Sequence, residues 1–232
     1  MTQQKKMIAI SLGGAIIVPD QIDWEFLKNF KNLIEKYIKN GYKFILVTGG
    51  GKTCRNYQQA ASKVTKLTND DLDWLGIHSS RLNAHLVRTV FRKYAFAKIN
   101  TNPHDLDDFY NFKESILVGA GWKPGRSTDY DAVVLAKYMD VPKVVNLSNI
   151  DYVYTKDPRK FPDAKKIEKI SWKDFQKIVG DKWSPGMNIP FDPIASKIAD
   201  EENIEVAIMN GRDLKNLENY IEGKKFKGTV IK

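Results

Sequence analysis

Apolar and polar residues follow two alternating periods along this chain. Short continuous apolar runs lie at Met7–Leu12, Phe44–Thr48, Ser115–Val118, Val144–Leu147 and Val206–Met209. Such runs are the pattern of strands buried on both faces. Between them the period changes to that of a helix. Over Asp23–Lys39, Phe26, Leu27, Phe30, Leu33, Ile34, Tyr37 and Ile38 share one face, and Asn40-Gly41 closes the element. The same reasoning predicts helices over about 52–63, 70–94, 128–138, 172–179, 193–201 and 214–221, and extended segments at 95–99, 152–154 and 228–231. Strands alternating with helices imply an α/β fold, a three-layer α/β/α sandwich with a mainly parallel central sheet. A change of character near Ser148–Ile150 divides one domain, 1–232, into an N-terminal half of about 7–148 and a C-terminal half of about 149–232.

Composition removes alternatives more than it adds detail. The chain has 232 residues, 42% hydrophobic and 11% aromatic, which suffices for a packed interior and excludes intrinsic disorder. The single cysteine, Cys54, can make no internal disulfide, as expected in a reducing cytoplasm. No apolar run approaches the roughly 20 residues of a membrane span, and no signal peptide is expected, so the reading is cytoplasmic with no membrane partner. The 37 basic against 28 acidic residues leave a net charge of +9. Lysines such as Lys28, Lys31, Lys36, Lys39, Lys63 and Lys66 are scattered, and the denser pairs Lys165-Lys166 and Lys224-Lys225 are interrupted by acids or glycine. That pattern reads as a solvated surface that draws polyphosphate ligands inward, with no nucleic-acid partner.

Candidate chemistry concentrates at glycine clusters that follow strands, where ligands of open α/β sheets bind. Gly13-Gly14-Ala15 is either an ordinary turn or a close approach to an anion. Gly49-Gly50-Gly51 leads into a helix carrying Lys52 and Arg55. Three consecutive glycines are costly in chain entropy, and a helix N-terminus with bare backbone suits a phosphate. The expectation is that a side chain at Gly50 would occupy the phosphate's space. The spacing fits neither the Walker A loop nor the dinucleotide fingerprint. The third cluster, Gly119-Ala120-Gly121-Trp122-Lys123-Pro124-Gly125-Arg126-Ser127-Thr128-Asp129, combines glycines, two cations and two hydroxyls before a helix whose first turn holds Asp129 and Asp131. Ser127 or Thr128 also suits a helix cap. A fourth segment, 149–158, reads on spacing alone as a loop with an Asp-Pro turn.

Taken in order, these segments resemble the uridylate (UMP) kinases of the amino-acid-kinase superfamily, closest to the archaeal type. The matching pieces are SLGGAIIVP (11–19), VTGGGKTCR (47–55), LGIHSSRLNAHLV (75–87), PGRSTDYDAVVLA (124–136), NIDYVYTKDP (149–158) and FDPIASKIA (191–199). The resemblance implies transfer of the ATP γ-phosphoryl group to UMP with Mg²⁺, in pyrimidine nucleotide synthesis, by a homohexamer. It places Gly14, Ala15, Gly51, Arg55, Asn149, Tyr154 and Asp157 at ATP. It places Gly50, Asp73 and the run Gly121 through Thr128 at UMP. No metal-ligating cluster is expected.

UMP brings its own ionised nucleophile, so no general base is needed, and His78, His85 and His104 are expected to be structural or exposed. The chain also departs from the family. Ser11 stands where many relatives carry lysine, and the cationic role passes to Lys6, Lys52, Lys123 or Arg126. Ala15 replaces a serine, Tyr152 a glycine, the 119–129 loop is one residue longer, and 184–188 matches only loosely. Other readings of the same fold are a kinase for a different small acid or phosphate, such as isopentenyl phosphate or N-acetylglutamate, and a nucleotide- or oxyanion-binding protein without turnover.

Overall fold

The apolar runs become the central sheet of a computed structural model that describes residues 6–109, 112–182, 184, 187 and 189–232. In the loosely matched stretch, Pro185, Gly186 and Asn188 lie outside the described residues, as do residues 1–5. The chain runs β1 (Met7–Leu12), α1 (Gly14–Ile17), α2 (Trp24–Lys39), β2 (Lys43–Thr48), α3 (Gly51–Ser62), α4 (Asn69–Val90), β3 (Ile116–Gly119), α5 (Thr128–Tyr138) and β4 (Lys143–Ser148). It continues with β5 (Val153–Tyr154), β6 (Lys166–Ile167), β7 (Lys169–Ile170), α6 (Trp172–Val179), α7 (Pro193–Glu201), β8 (Glu205–Asn210), α8 (Leu214–Ile221) and β9 (Thr229–Ile231).

A seven-stranded sheet in the order β3-β2-β1-β4-β8-β9-β7 runs through both halves of the chain. Its ladders are parallel except that β9 runs antiparallel to β8. Period-2 alternation sorts each strand between two cores. Ile8, Ile10, Leu12, Phe44 and Leu46 pack with α2, α4 and α8, whereas Ala9, Ile45 and Val47 pack with α5, α6 and α7. Both faces are therefore covered and the three layers are present.

Capping explains where several helices start. The Asp23 carboxylate accepts from the Phe26 amide, Thr68 and Asp71 form a reciprocal box, and Ser127, Ser171, Asp192 and Asp213 each accept from the first turn.

Five elements differ from the sequence expectation, two of them, β6 and β7, being short strands that it did not contain. The helix expected to reach residue 94 stops at Val90, where the Arg92 and Tyr94 amides turn to the Thr89 and Phe91 carbonyls in i→i+3 bonds, and the Tyr94 carbonyl accepts from the Ser115 and Ile116 amides. The strand expected at 95–99 is reduced to isolated bridges at Ala95 and Asn100. Its middle is drawn away from the ladder: Arg88 Nε donates to the Ala97 carbonyl at 2.6 Å, and Lys98 pairs with Asp108. The turn expected after Gly13 is instead a helical turn, α1, with Ile16 and Ile17 fully buried.

Candidate active site

The carboxyl ends of β1, β2, β3 and β4 share one edge, since Leu12 is in register with Thr48 and Leu147, and Val47 with Gly119. The three glycine clusters therefore gather on one rim. Gly13 and Gly49 amides donate to the Leu147 and Leu12 carbonyls, and the Lys52 amide to the Val18 carbonyl. The first two loops pack backbone against backbone. A Cβ on Gly14 would lie 2.1 Å from the Gly51 amide nitrogen, and one on Gly51, where φ is +62°, 2.3 Å from the Gly14 carbonyl oxygen. These glycines are required by loop–loop packing as well as by any ligand.

Gly50 behaves differently from the expectation. A Cβ there would meet the Cys54 Cβ at 2.8 Å and the Gly76 carbonyl and Ser79 Cβ at 3.3 Å. It points into the α3–α4 contact, so a larger residue would wedge the two helices apart; direct filling of a phosphate site is not what this geometry shows. The same loop is held by a residue the motif reading passed over: Asn83 Nδ2, buried on α4, donates to the Gly49 carbonyl at 2.7 Å and the Gly50 carbonyl at 3.2 Å.

The third loop is clasped by α4 from end to end. Ser80 Oγ accepts from the Gly121 amide at 2.9 Å, and Arg81 donates to the Gly121 and Trp122 carbonyls at 3.1 and 3.0 Å. Asp73 Oδ2 accepts from the Gly125 amide at 2.7 Å. Burial pushes the Asp73 carboxyl up, against the lowering effect of that amide. Lys123 Nζ lies 4.0 Å over the Trp122 ring, and the Arg126 guanidinium 5.0 Å over Tyr130. His104 is structural, its two ring nitrogens 3.0 and 3.2 Å from the Tyr130 and Tyr138 hydroxyls.

Behind these loops lies a buried carboxylate group that local patterning presented only as favourable helix-start charges. Ser11 Oγ donates to Asp129 Oδ1 at 2.7 Å, and Asn146 Nδ2 donates to the same oxygen at 2.8 Å. Ser127 donates to Asp192, which also accepts from the Ile194 and Ala195 amides at the start of α7. Asp131 is buried with both carboxylate oxygens unpartnered. Desolvation pushes Asp129 up to about 7, the Ser11 bond opposing it, and holds Asp131 well above the usual carboxylate range. The Ser11 hydroxyl, the Asn146 amide and the Asp192 backbone amide lower Asp129, whereas the Asp192 carboxylate raises it. Lys6 sits at the opposite end of β1, over the Tyr42 ring, about 20 Å away along six strand residues.

The remaining expected residues lie on the C-terminal half. Asn149 is exposed just after β4, Tyr154 ends β5, and Asp157 accepts from the Arg159 guanidinium and amide, hydrogen bonds that hold it below the usual range. Among the described residues no group of three His, Cys, Asp or Glu side chains could hold a metal ion. No described helix is long and apolar enough to cross a membrane.

This architecture matches known proteins over nearly its full length. The model of the amino acid kinase family matches residues 6–210. A uridylate kinase of Pyrococcus abyssi is 34% identical over 97% of this chain and 98% of its own. One from Sulfolobus acidocaldarius is 33% identical over 91% of this chain and 93% of its own. The crystal structure of uridylate kinase from Archaeoglobus fulgidus superposes with a TM-score of 0.82 at 27% identity, covering 97% of this chain and 99% of that one.

Proposed function

The chain belongs to the amino acid kinase family, and from that premise we infer that it transfers the γ-phosphoryl group of ATP to UMP, giving UDP and ADP in pyrimidine nucleotide synthesis. The observation that carries the reading is the acceptor-side loop, 121–127, latched to α4 beside the triple-glycine loop on one rim of the sheet, in a chain that matches uridylate kinases end to end.

Such a transfer needs in-line positioning and charge neutralisation and no covalent intermediate. In this reading the acceptor half, about 7–148, offers Gly50, Asp73 and the 121–128 loop to UMP. Gly14, Ala15, Gly51 and Arg55 face the ATP phosphates, and Asn149, Tyr154 and Asp157 of the half at about 149–232 hold its adenosine side. Lys52, Lys123 and Arg126 supply positive charge at the reacting phosphates. The helix N-termini of α3 and α5 add backbone donors to the same rim.

Mg²⁺ would be carried by the ATP phosphates, the usual arrangement of one or two carboxylates plus substrate phosphates. Bound there it would neutralise charge on the transferring group. The same reading makes the chain a self-associating homohexamer in the cytoplasm. The apolar side chains left exposed on α3, α4 and the turn between them support association: Val64 is 87% exposed, Leu82 63% and Tyr57 62%.

ADP release measured with Mg-ATP and a panel of UMP, CMP, dUMP, isopentenyl phosphate and N-acetylglutamate tests the assignment. Turnover with UMP is expected; turnover confined to another acceptor, or ATP binding without turnover on any of them, overturns it. Asp73→Ala frees the Gly125 amide and removes a carboxylate from the acceptor side. It is expected to raise the KM for UMP at least tenfold and leave that for ATP within about twofold. Equal changes in both constants would put Asp73 elsewhere in the cycle.

A further inference from the structure

We propose that a cavity of about 820 Å³ between α8, the β5–β6 hairpin and the start of β9 is a second anion site, shaped for a linear polyphosphate group. Six lysines line it, Lys166, Lys169, Lys215, Lys224, Lys225 and Lys227, against the two carboxylates Glu168 and Asp213, an excess of four positive charges. None of the residues assigned to ATP or UMP is among its walls. The two lysine pairs that look isolated in the sequence thus contribute Lys166, Lys224 and Lys225 to one concavity.

The nearby acids are already engaged. Glu168 pairs with Lys166 at 2.8 Å, Glu222 with Lys224 at 2.6 Å and Glu218 with Lys215 and Lys36. The Asp213 carboxylate caps α8. Lys169, Lys225 and Lys227 have no carboxylate within ion-pair distance among the described residues, although Lys225 lies close enough to lower Glu168. Like charges held around a concavity repel one another, and a multivalent anion relieves that repulsion.

The frame beneath them is rigid. Buried Asn216 donates to the Lys227 carbonyl at 2.6 Å and accepts from its amide at 2.7 Å, and the Lys224 amide donates to the Asn219 carbonyl. Thr229 Oγ1 accepts from the Val153 amide and donates to the Ile167 carbonyl, tying the hairpin to β9. The backbone is set before binding, and only the exposed lysine side chains remain to be ordered. The volume is that of a small-molecule site, whereas a nucleic-acid strand needs an extended groove. Tyr152, whose ring faces Lys166 Nζ at 5.0 Å, gives the cavity one aromatic wall.

Calorimetric titration of the full chain tests this, with ADP and UMP at saturation to fill the catalytic cleft. One arm uses sodium tripolyphosphate and the other CTP. One equivalent is expected to bind in at least one arm; a preference for CTP marks a nucleoside triphosphate site, and equal or tighter tripolyphosphate binding marks a site for the free anion. The combined variant Lys169→Gln, Lys225→Gln, Lys227→Gln is expected to weaken binding at least tenfold, with ADP release from ATP and UMP unchanged, and Lys→Arg at the same three positions to retain binding. No uptake in either arm, equal affinity in the glutamine variant, or tighter competing binding of a single-stranded RNA oligonucleotide overturns the proposal. Should ADP and UMP themselves fail to bind, the reading of the catalytic cleft fails separately, and the contrast between wild type and variant still decides the cavity.

Discussion

The Asp129→Asn variant is expected to gain stability relative to wild type as pH rises, while turnover falls about a hundredfold, the loss typical of removing one preorganised polar group. The stability half follows from burial. A carboxyl raised to about 7 in the folded chain keeps its proton after the unfolded chain, near 4, has released it. This residue's contribution is therefore greatest below pH 4 and declines until pH passes about 7. Three pH units correspond to roughly 4 kcal/mol, an upper bound because Asp129 retains some solvent contact. Asparagine has no proton to lose, so the stability of the variant relative to wild type should rise by about 2–4 kcal/mol between pH 4.5 and pH 8.

Asp131, shifted in the same direction, is present in both proteins, and only the smallest of its causes comes from the Asp129 charge. Urea unfolding of both proteins at the two pH values reads the difference; a constant gap would show that Asp129 ionises normally. The activity half follows from position. Asp129 joins Ser11 of β1 to Asn146 of β4 at the head of α5, between the first glycine loop and the acceptor loop. Unchanged ADP release at pH 8 would show that the carboxylate is dispensable.

The second large effect is expected from one methyl group. Gly14→Ala should cost at least about 3 kcal/mol and leave little folded protein at 37 °C, because the new carbon meets only main chain. It would stand 2.1 Å from the Gly51 nitrogen, 2.6 Å from the Gly49 carbonyl carbon and 2.7 Å from the Gly51 Cα. Neither loop can retreat, since both are bonded into the sheet edge and to Val18. Gly125→Ala is the control. Its φ of +78° is unfavourable for alanine, yet nothing lies within 4 Å of the added carbon, so the cost should be about 1 kcal/mol. Thermal unfolding of the two variants separates steric exclusion from backbone preference; equal losses would mean that the glycine loops do not pack as described.

Much of this architecture was legible before any coordinates. The runs that became β1, β2, β4 and β8, and the stripe that became α2, are local patterns, because strand and helix periods are properties of neighbouring residues. The cap expected at Ser127 or Thr128, which falls to Ser127, is local for the same reason, and so are the motifs that carry the family resemblance. Where a segment's hydrogen bonds went to distant side chains, the local reading failed. Residues 95–99 lost their strand to Arg88 and Asp108, and beyond the long helix the Tyr94 carbonyl went to the Ser115 and Ile116 amides.

Sequence alone determined the main strands and helices, the position of each glycine cluster just after a strand, and the family resemblance, because each rests on residues close together in the chain. Only the tertiary structure decided which carboxylate faces Ser11, that Gly14 and Gly51 exclude side chains from one another, that Gly50 faces α4, and that lysines from β6, β7 and the segment after α8 surround one cavity. Those facts depend on contacts across the whole chain, 118 positions in the case of Ser11 and Asp129, and on desolvation, which no local pattern encodes.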